Sequence, residues 1–279
     1  MNKITRTLLV LAIALAVGSS AMAFTGTYVP GSGINGTPHD LGTAHNGMNY
    51  TAVPPDPVGG RICIFCHAPH NTYRLSQANG GPPPNIGAGP QAIDEFTYLP
   101  LWNHTLPTTV SAYVMYQNGP GAPKTGPRAL NAILGAAPNN VSLLCLSCHD
   151  GTIAVNSYGN VDQPASSQST GTTMIDPSYV IGKDHYLGNH HPISFDYDAV
   201  YGADDQIRDP DVAQLTPTTT VRDHLFGLPG VPGTNVSLEC ASCHSVHNKG
   251  NAGEMLLWRS DQNSELCLTC HDKGIYTTP

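Results

Sequence analysis

Residues 63–71, Cys63-Ile64-Phe65-Cys66-His67-Ala68-Pro69-His70-Asn71, contain the pattern that decides how this chain folds. Two cysteines are separated by two residues, and a histidine directly follows the second cysteine. The pattern recurs at Cys145-Leu146-Ser147-Cys148-His149, Cys240-Ala241-Ser242-Cys243-His244 and Cys267-Leu268-Thr269-Cys270-His271. The four motifs use all 8 cysteines of the sequence, so no thiol is left for another bond.

The spacing within this motif is typical of c-type haem attachment. Two residues between the cysteines make one turn that brings both sulfurs to neighbouring vinyl groups, and the histidine is held under the iron. Two CxxC pairs could instead form a tetrahedral zinc site, but zinc does not require the histidine. We therefore predict four covalently bound haem c groups. The attachment cysteines are Cys63, Cys66, Cys145, Cys148, Cys240, Cys243, Cys267 and Cys270, and the proximal iron ligands are His67, His149, His244 and His271.

The amino terminus has the three parts of a secretory signal. Lys3 and Arg6 give a positive start, residues 8–17 form an apolar run, and Ala21-Met22-Ala23 is a small-residue cleavage site. The mature chain is expected to begin at Phe24 and to insert no segment into a membrane. The alternative is an uncleaved membrane anchor. Export agrees with the haem prediction, since c-type haem is normally attached outside the cytoplasm.

The composition predicts little regular structure. The sequence has Gly 29 and Pro 24, only 11% of its residues are charged, and neither heptads nor sustained alternation appears. We expect mostly irregular coil with short helices and little β structure, in a multihaem cytochrome c fold wrapped around haems that replace a conventional core. Removing Lys3 and Arg6 from the 12 basic residues leaves 10 against 20 acidic ones, which disfavours a nucleic-acid partner.

One order of features occurs twice along the chain: an upstream histidine, CxxCHxxHN, a Leu-Trp pair and a Leu-rich CxxCH. Leu257-Trp258-Arg259 echoes Leu101-Trp102-Asn103, which makes Ser260 the counterpart of His104. We predict a signal peptide at residues 1–23, a first dihaem module with an amino-terminal arm at 24–151, a linker region at 152–190 and a second dihaem module at 191–279.

The histidines outside the four motifs can supply the distal iron ligands. His70 and His247 follow a proximal histidine by three residues, too close to reach the opposite face of the same haem, so each should ligate a neighbouring haem. His39 and His191 hold the corresponding upstream position in each module. These four balance the four proximal ligands, and His104 is the strongest substitute.

The motifs also resemble those of a known family. HDL (39–41), CxFCHxPHN (63–71), PLWNH (100–104), SLxCLSCHDG (142–151), HPISF (191–195) and CxSCHxxH (240–247) resemble the doubled-CXXCH multihaem cytochromes, especially the tetrahaem filament-forming outer-surface cytochromes of metal-reducing bacteria. The resemblance implies haems stacked in alternating parallel and T-shaped pairs along a polymer. It also implies that an amino-terminal histidine, His39 or His70 here, ligates a haem of the next subunit. The chain departs from the family in having His190 where an acidic residue commonly precedes HP.

We thus expect an exported tetrahaem cytochrome that transfers electrons and is not an enzyme, because two imidazoles leave iron no open position. The resemblance favours a homopolymer with inter-subunit haem ligation, secreted to the extracellular space or the outer cell surface. Its redox partners would be metal oxides or other cytochromes. A discrete periplasmic electron carrier is the first alternative, and a multihaem reductase of nitrogen or sulfur oxyanions is the second.

Overall fold

The computed structural model describes residues 31–41, 62–68, 101–106, 113–116, 138, 140–159, 171–228, 231–251 and 254–272. All eight cysteines and the four proximal histidines lie within these ranges. The predicted signal peptide and the predicted ligand His70 lie outside them. No helix in the described ranges is both long enough and apolar enough to cross a membrane.

Each haem motif lies on a short helical segment. Helix α1 is Asn140–His149, α2 is Tyr197–Ala203, α3 is Cys240–Cys243 and α4 is Glu265–Cys270. Short 3-10 turns occupy Ile62–Phe65, Pro177–Tyr179, Lys183–His185, Arg222–His224 and Gln262–Ser264. The first motif begins in the Ile62–Phe65 turn, and the other three lie on α1, α3 and α4. Haem attachment needs only one turn between the cysteines, which is consistent with helices of this length.

Short strands in the described residues form two small antiparallel sheets. The strands are β1 Phe195–Asp196, β2 Gln214–Thr216, β3 Thr219–Thr220, β4 Phe226–Leu228 and β5 Val231–Leu238. Strand β5 lies between β1 and β4, while β2 pairs only with β3. In the larger sheet Phe195 is opposite Leu238, and Asp196 is opposite Ser237. Because β5 ends two residues before Cys240, the sheet leads directly into the third haem motif.

A conventional side-chain core forms around the larger sheet. Its buried members are Phe195, Tyr197, Val200, Ile207, Leu215, Val221, Leu225 and Leu238. Trp258, Leu266 and Cys270 pack against this core, so α4 and its haem motif rest on apolar side chains. The composition does not predict such a core, because these residues are scattered among glycine, proline and polar residues.

The described part of the predicted linker region packs against the first two haem motifs. Val155 and Tyr158 form an apolar cluster with Phe65 of the first motif. Leu187 packs with Leu146 of the second motif in a separate cluster that also contains Tyr113. These contacts give residues 152–159 and 171–190 a structural role beside the haem motifs.

Arg222 holds the acidic segment of residues 196–211 against strand β5. Its guanidinium donates to both oxygens of Asp198 at 2.7 and 3.1 Å and to both oxygens of Asp211 at 2.9 and 3.0 Å. It also donates to the carbonyl oxygen of Asn235 at 3.0 Å. All five N–H donors of the guanidinium are therefore used. These hydrogen bonds lower the pKa of the Asp211 carboxyl.

Candidate haem sites

Backbone hydrogen bonds inside each motif hold the histidine beside its two cysteines. The histidine amide donates to the carbonyl of the first cysteine at 2.7 Å in the first motif, 3.1 Å in the third and 2.9 Å in the fourth. In the second motif the histidine is the last residue of α1. None of the eight cysteines forms a disulfide. Each pair is therefore available for the two thioether bonds that attach a haem.

In the first module, the segment at residues 101–104 pairs with the first haem motif. His67 lies in an antiparallel bridge with Trp102. The side-chain amide of Asn103 donates to the carbonyl oxygen of Ile64, between the two cysteines, at 2.5 Å. Leu101, at the start of this segment, has a left-handed φ of 53°.

The third haem motif has an equivalent partner segment at residues 256–258. His244 lies in an antiparallel bridge with Leu257. The indole N–H of Trp258 donates to the carbonyl oxygen of Ala241, again between the two cysteines, at 3.0 Å. Leu256 has a left-handed φ of 57°, like the residue that begins the first copy.

The repeat in the structure is shifted by one residue from the repeat in the sequence letters. The hydrogen bonds and the left-handed leucines make Trp258 the counterpart of Asn103, not of the first tryptophan. By the same shift, the counterpart of His104 is Arg259, so the sequence-based match with Ser260 is wrong. The physical reason is that the two copies share a backbone conformation and a side-chain hydrogen-bond donor at the same position. They do not share the position of the indole ring.

Three proximal histidines each face a second histidine ring from elsewhere in the chain. The pairs and their ring-centroid distances are His67 with His247 at 6.0 Å, His149 with His39 at 6.1 Å, and His271 with His191 at 6.2 Å. A bond from a metal to an imidazole nitrogen is about 2 Å long, so two imidazoles on opposite faces of one iron have centroids about 6 Å apart. The pairs therefore fit the spacing of the two axial ligands of a haem.

Two of these pairs join distant parts of the sequence. His247 follows the third motif, yet its ring faces His67 of the first motif. His39 lies in the amino-terminal arm and faces His149 of the second motif. The arm is held there because the side-chain amide of Asn248 donates to the carbonyl of Gly33 at 2.9 Å. The second predicted module thus supplies a candidate ligand, His247, to the first, although the individual ligand assignments stay predictions.

Hydrogen bonds at Nδ1 orient the imidazoles of several candidate ligands. In each case Nδ1 faces a backbone carbonyl oxygen: His149 at 2.9 Å from Tyr179, His191 at 2.8 Å from Pro192, His244 at 3.2 Å from Leu256, and His39 at 3.3 Å from Val246. A carbonyl acceptor at Nδ1 fixes the proton on that nitrogen and leaves Nε2 available for a metal.

Burial keeps the imidazoles of His39, His244 and His247 neutral by lowering their pKa. It lowers the pKa of His39 to about 4, and the neighbouring His149 adds to this effect. Burial is also the largest cause that lowers the pKa of His244 and of His247. The neutral imidazole is the form that binds a metal, so these rings are in the ligating form near neutral pH.

His104 is fully buried, and both of its ring nitrogens contact the protein. Nδ1 lies 2.9 Å from the carbonyl oxygen of Thr105. Nε2 lies 3.1 Å from the carbonyl oxygen of Ala154 and 3.3 Å from Sγ of Cys148. To bind iron, Nε2 would have to leave these contacts. The geometry favours His104 as a support beside the second attachment helix over the ligand role predicted for it as a substitute.

His244 differs from the other proximal histidines. Within the described ranges, no second histidine ring lies opposite it at the spacing of the three pairs. His70, the remaining candidate distal ligand, lies outside those ranges. The prediction that His70 ligates a neighbouring haem stays a prediction, and the third motif is the one that lacks a facing histidine among the described residues.

Cysteines of successive motifs lie close enough to affect each other's pKa. Burial and then the Cys66 thiol raise the pKa of Cys148, which links the first motif to the second. A hydrogen bond with Cys240 raises the pKa of Cys145, which links the second to the third. Burial and then Cys270 raise the pKa of Cys243 to about 12, which links the third to the fourth. The motifs thus follow one another in space in their order along the chain.

Sequence reasoning missed a buried carboxylate at the junction of the second and third motifs. Glu239 is 0% exposed and accepts hydrogen bonds from the hydroxyls of Ser142, Ser194 and Ser237. The repeated tetrapeptide Asn-Val-Ser-Leu, at residues 140–143 and 235–238, was a usable signal. Its two serines meet at this carboxylate. At the residue after the tetrapeptide, the first copy has Leu144 where the second has Glu239.

The comparison with protein families agrees with this geometry. Residues 234–275 match the family described as Doubled CXXCH motif (Paired_CXXCH_1), and this stretch contains the third and fourth haem motifs. No curated protein matches the chain. CXXCH motifs indicate covalently bound haem c. The doubled motif at residues 234–275 supports a multihaem c-type cytochrome that functions in electron transfer.

Proposed function

We propose that the protein is an exported tetrahaem c-type cytochrome that conducts electrons along closely spaced, bis-histidine haems and does not catalyse substrate chemistry. The observation that carries this proposal is the set of three imidazole pairs about 6 Å apart, each of which includes a proximal histidine. Bound haem supplies reversible one-electron chemistry. The fold would be short helices and coil wrapped around the haem chain, with the two small sheets supporting the third and fourth motifs.

The protein's own residues would orient and insulate the haems. Carbonyl oxygens at Nδ1 fix the imidazole tautomer, as at His149 and His191. Burial keeps His39 neutral. Neighbouring attachment helices contact each other directly, as α1 and α3 do through Cys145 and Cys240. Such contacts would set the distance between successive haems, on which electron transfer depends.

We further propose that the protein polymerises into an extracellular filament that delivers electrons to metal oxides or partner cytochromes. The resemblance of the whole set of motifs to filament-forming cytochromes motivates this proposal. His39 already faces His149 of its own chain, so His70 is the better candidate for the inter-subunit ligand. Its target would be the third motif, whose His244 has no facing histidine among the described residues.

The first test is negative-stain imaging of the mature protein purified from culture supernatant, together with its intact mass. A mass that includes four haems and filaments with a one-subunit repeat would support both proposals. Dispersed particles in the periplasmic fraction, with every haem low-spin, would leave the discrete carrier as the function. A high-spin ferric signal, or binding of an added ligand to one haem, would favour the reductase instead.

A single variant connects the ligand to the filament. In the polymer, His70→Ala should leave one haem of four without its second imidazole and should also abolish filaments. If His70 serves its own chain, the same variant changes one haem and leaves filaments intact. The matched control is His190→Ala, because His190 faces no proximal histidine in the described structure.

A further inference from the structure

The carboxyl of Glu239 lies where the second and third haem motifs meet. Its oxygens accept hydrogen bonds from three serine hydroxyls: Ser142 in α1, Ser194 just before β1 at 2.9 Å, and Ser237 in β5 at 2.6 Å. The carboxylate also caps α3 through the backbone of Ser242. Four parts of the chain thus converge on one buried acid that belongs to neither haem motif.

The described residues around Glu239 give it hydroxyl and amide donors but no cation. The titratable groups that face it are Cys145 from α1 and Cys240 from α3. Both become thioethers when haem is attached, and they then no longer titrate. Asp196, next to Ser237 across the sheet, directs its carboxyl to the amide of Ala199 instead. Burial raises the pKa of Glu239 to about 7, although the serine hydrogen bonds oppose this change.

The position of Glu239 makes its charge sensitive to electrons on the adjacent haems. Glu239 acts electrostatically on both Cys145 and Cys240, the first attachment cysteines of the second and third motifs. In a buried site, charges interact much more strongly than they do in water. An electron added nearby therefore disfavours the carboxylate and favours the neutral acid.

We propose that Glu239 is a redox-linked proton-binding site of the second and third haem motifs. The proposal rests on the proposed function, since it requires haem at those motifs. One carboxylate oxygen gains a proton from solvent as one electron arrives from the upstream donor, and an O–H bond forms. On oxidation the O–H bond breaks, the proton returns to solvent and the electron passes to the acceptor. Charge and atoms balance in both directions, so this cytochrome moves protons together with electrons.

The test is a potentiometric titration of the haem-loaded protein between about pH 5 and pH 9, with proton uptake measured on reduction in weak buffer. We expect the midpoint potential of one or two haems to fall with rising pH around neutrality. A tenfold tighter proton binding in the reduced protein would shift the potential by about 59 mV. Glu239→Gln should remove this pH-dependent component and the matching proton uptake.

Two further variants separate the acid from its surroundings. Glu265→Gln is the matched control, because Glu265 is also an acid close to a haem motif but is half-exposed. It should leave the pH dependence unchanged. Ser237→Ala keeps the carboxyl but removes a donor that stabilises its charged form, so the pH window should move to higher pH without disappearing.

The outcomes distinguish this proposal from the proposed function. If Glu239→Gln shows the wild-type pH dependence, or if Ser237→Ala leaves the window in place, Glu239 is not the site. The tetrahaem assignment stays unaffected in that case. If the purified protein lacks the haem c spectrum, the proposed function fails and the inference fails with it. If Glu239→Gln does not fold, the shift expected for Ser237→Ala decides the question.

Discussion

At the residue scale, adjacent histidines 190 and 191 give a sharp test of the ligand pairs. His191 faces His271 at 6.2 Å. His191→Met should replace one bis-histidine haem by a His/Met haem, whose reduction potential is higher. The near-infrared and paramagnetic resonance spectra should change for one haem.

His190→Met is the control for this experiment, because it places the same side chain one residue away. It should leave the spectra and the reduction potentials of the haems unchanged. Equal effects of the two variants would contradict the assignment of His191 to the fourth motif.

Glu239 also predicts a pH dependence of folding. Its pKa is about 7 in the folded chain against 4.5 for the ordinary carboxyl, so between these values the unfolded chain releases a proton that the folded chain keeps. Stability is therefore full below about pH 4.5 and falls as the pH rises to about 7, by about 3 kcal/mol. Denaturant titrations of the oxidised protein should show this fall, and Glu239→Gln should lack it. If the free energies of unfolding of the wild-type protein and Glu239→Gln differed by the same amount at every pH, this prediction would be contradicted.

The sequence predicts some of these residues better than others. The attachment cysteines and proximal histidines follow from a local pattern, because one helical turn fixes their geometry. His247 was expected to serve another haem because it is too close to His244 to reach the opposite face of the same haem. No local pattern could name His67 as its partner, since that choice depends on long-range packing. Glu239 was missed because its partners lie on three separate segments.

At the element scale, the one-residue shift in the repeat predicts different roles for the two tryptophans. Trp258 donates its indole N–H to Ala241, whereas Trp102 Nε1 is buried and has no hydrogen-bond partner in the described structure. Trp258→Phe should therefore lower the free energy of unfolding by about 1 kcal/mol through the lost hydrogen bond. Trp102→Phe should be neutral or slightly stabilising in the same denaturant titration. If both variants lost the same free energy of unfolding, the result would support the sequence-based match of Trp102 with Trp258 instead.

The Arg222 cluster predicts the stability of the segment that supports strand β5. Lysine keeps the charge but cannot form two bidentate pairs with Asp198 and Asp211. Arg222→Lys should lower the melting temperature by about 5 °C. Arg208→Lys is the control, because Arg208 makes one exposed ion pair with Asp272 at 2.8 Å, and it should change the melting temperature little. If Arg222→Lys melted at the same temperature as the wild-type protein, the second carboxylate pair would contribute nothing to stability.

The element scale also separates what the sequence could predict from what it could not. Short helices at the haem motifs follow from the CXXCH spacing. The core around Phe195 and Leu238 does not, because its residues come from short elements without periodicity. The sequence has six aspartates at residues 196–211 and indicates no partner for any of them. The match between two of those acids and the five donors of Arg222 is visible only in three dimensions.

At the scale of the whole molecule, the two sequence modules are interlocked. The arm that carries His39 accepts a hydrogen bond from Asn248 of the second module. In addition, the ring of His247 in the second module faces His67 of the first. A repeat in sequence suggests two units that each complete their own haems. That His247 serves the first module could not be predicted, because histidine counts balance equally well within and between modules.

The assignment of His247 to the first module can be tested by removing one haem at a time. In the full chain, His247→Met should change the spectrum of one haem. The change should disappear when Cys63 and Cys66 are replaced by alanine, because the first haem is then absent. It should persist when Cys240 and Cys243 are replaced instead. The reverse result would assign His247 to the third motif.

The pairing of His67 with His247 also has a consequence for biogenesis. If the chain is exported as proposed, it emerges amino terminus first, so the attachment site at Cys63 and Cys66 leaves the translocation channel long before His247 does. His39 and His191, in contrast, both precede the proximal histidines that they face. Of the three paired proximal histidines, only His67 would therefore wait for a distal ligand that is still to be exported. During that interval, a haem attached at Cys63 and Cys66 would need protection from small molecules that bind iron at an open position.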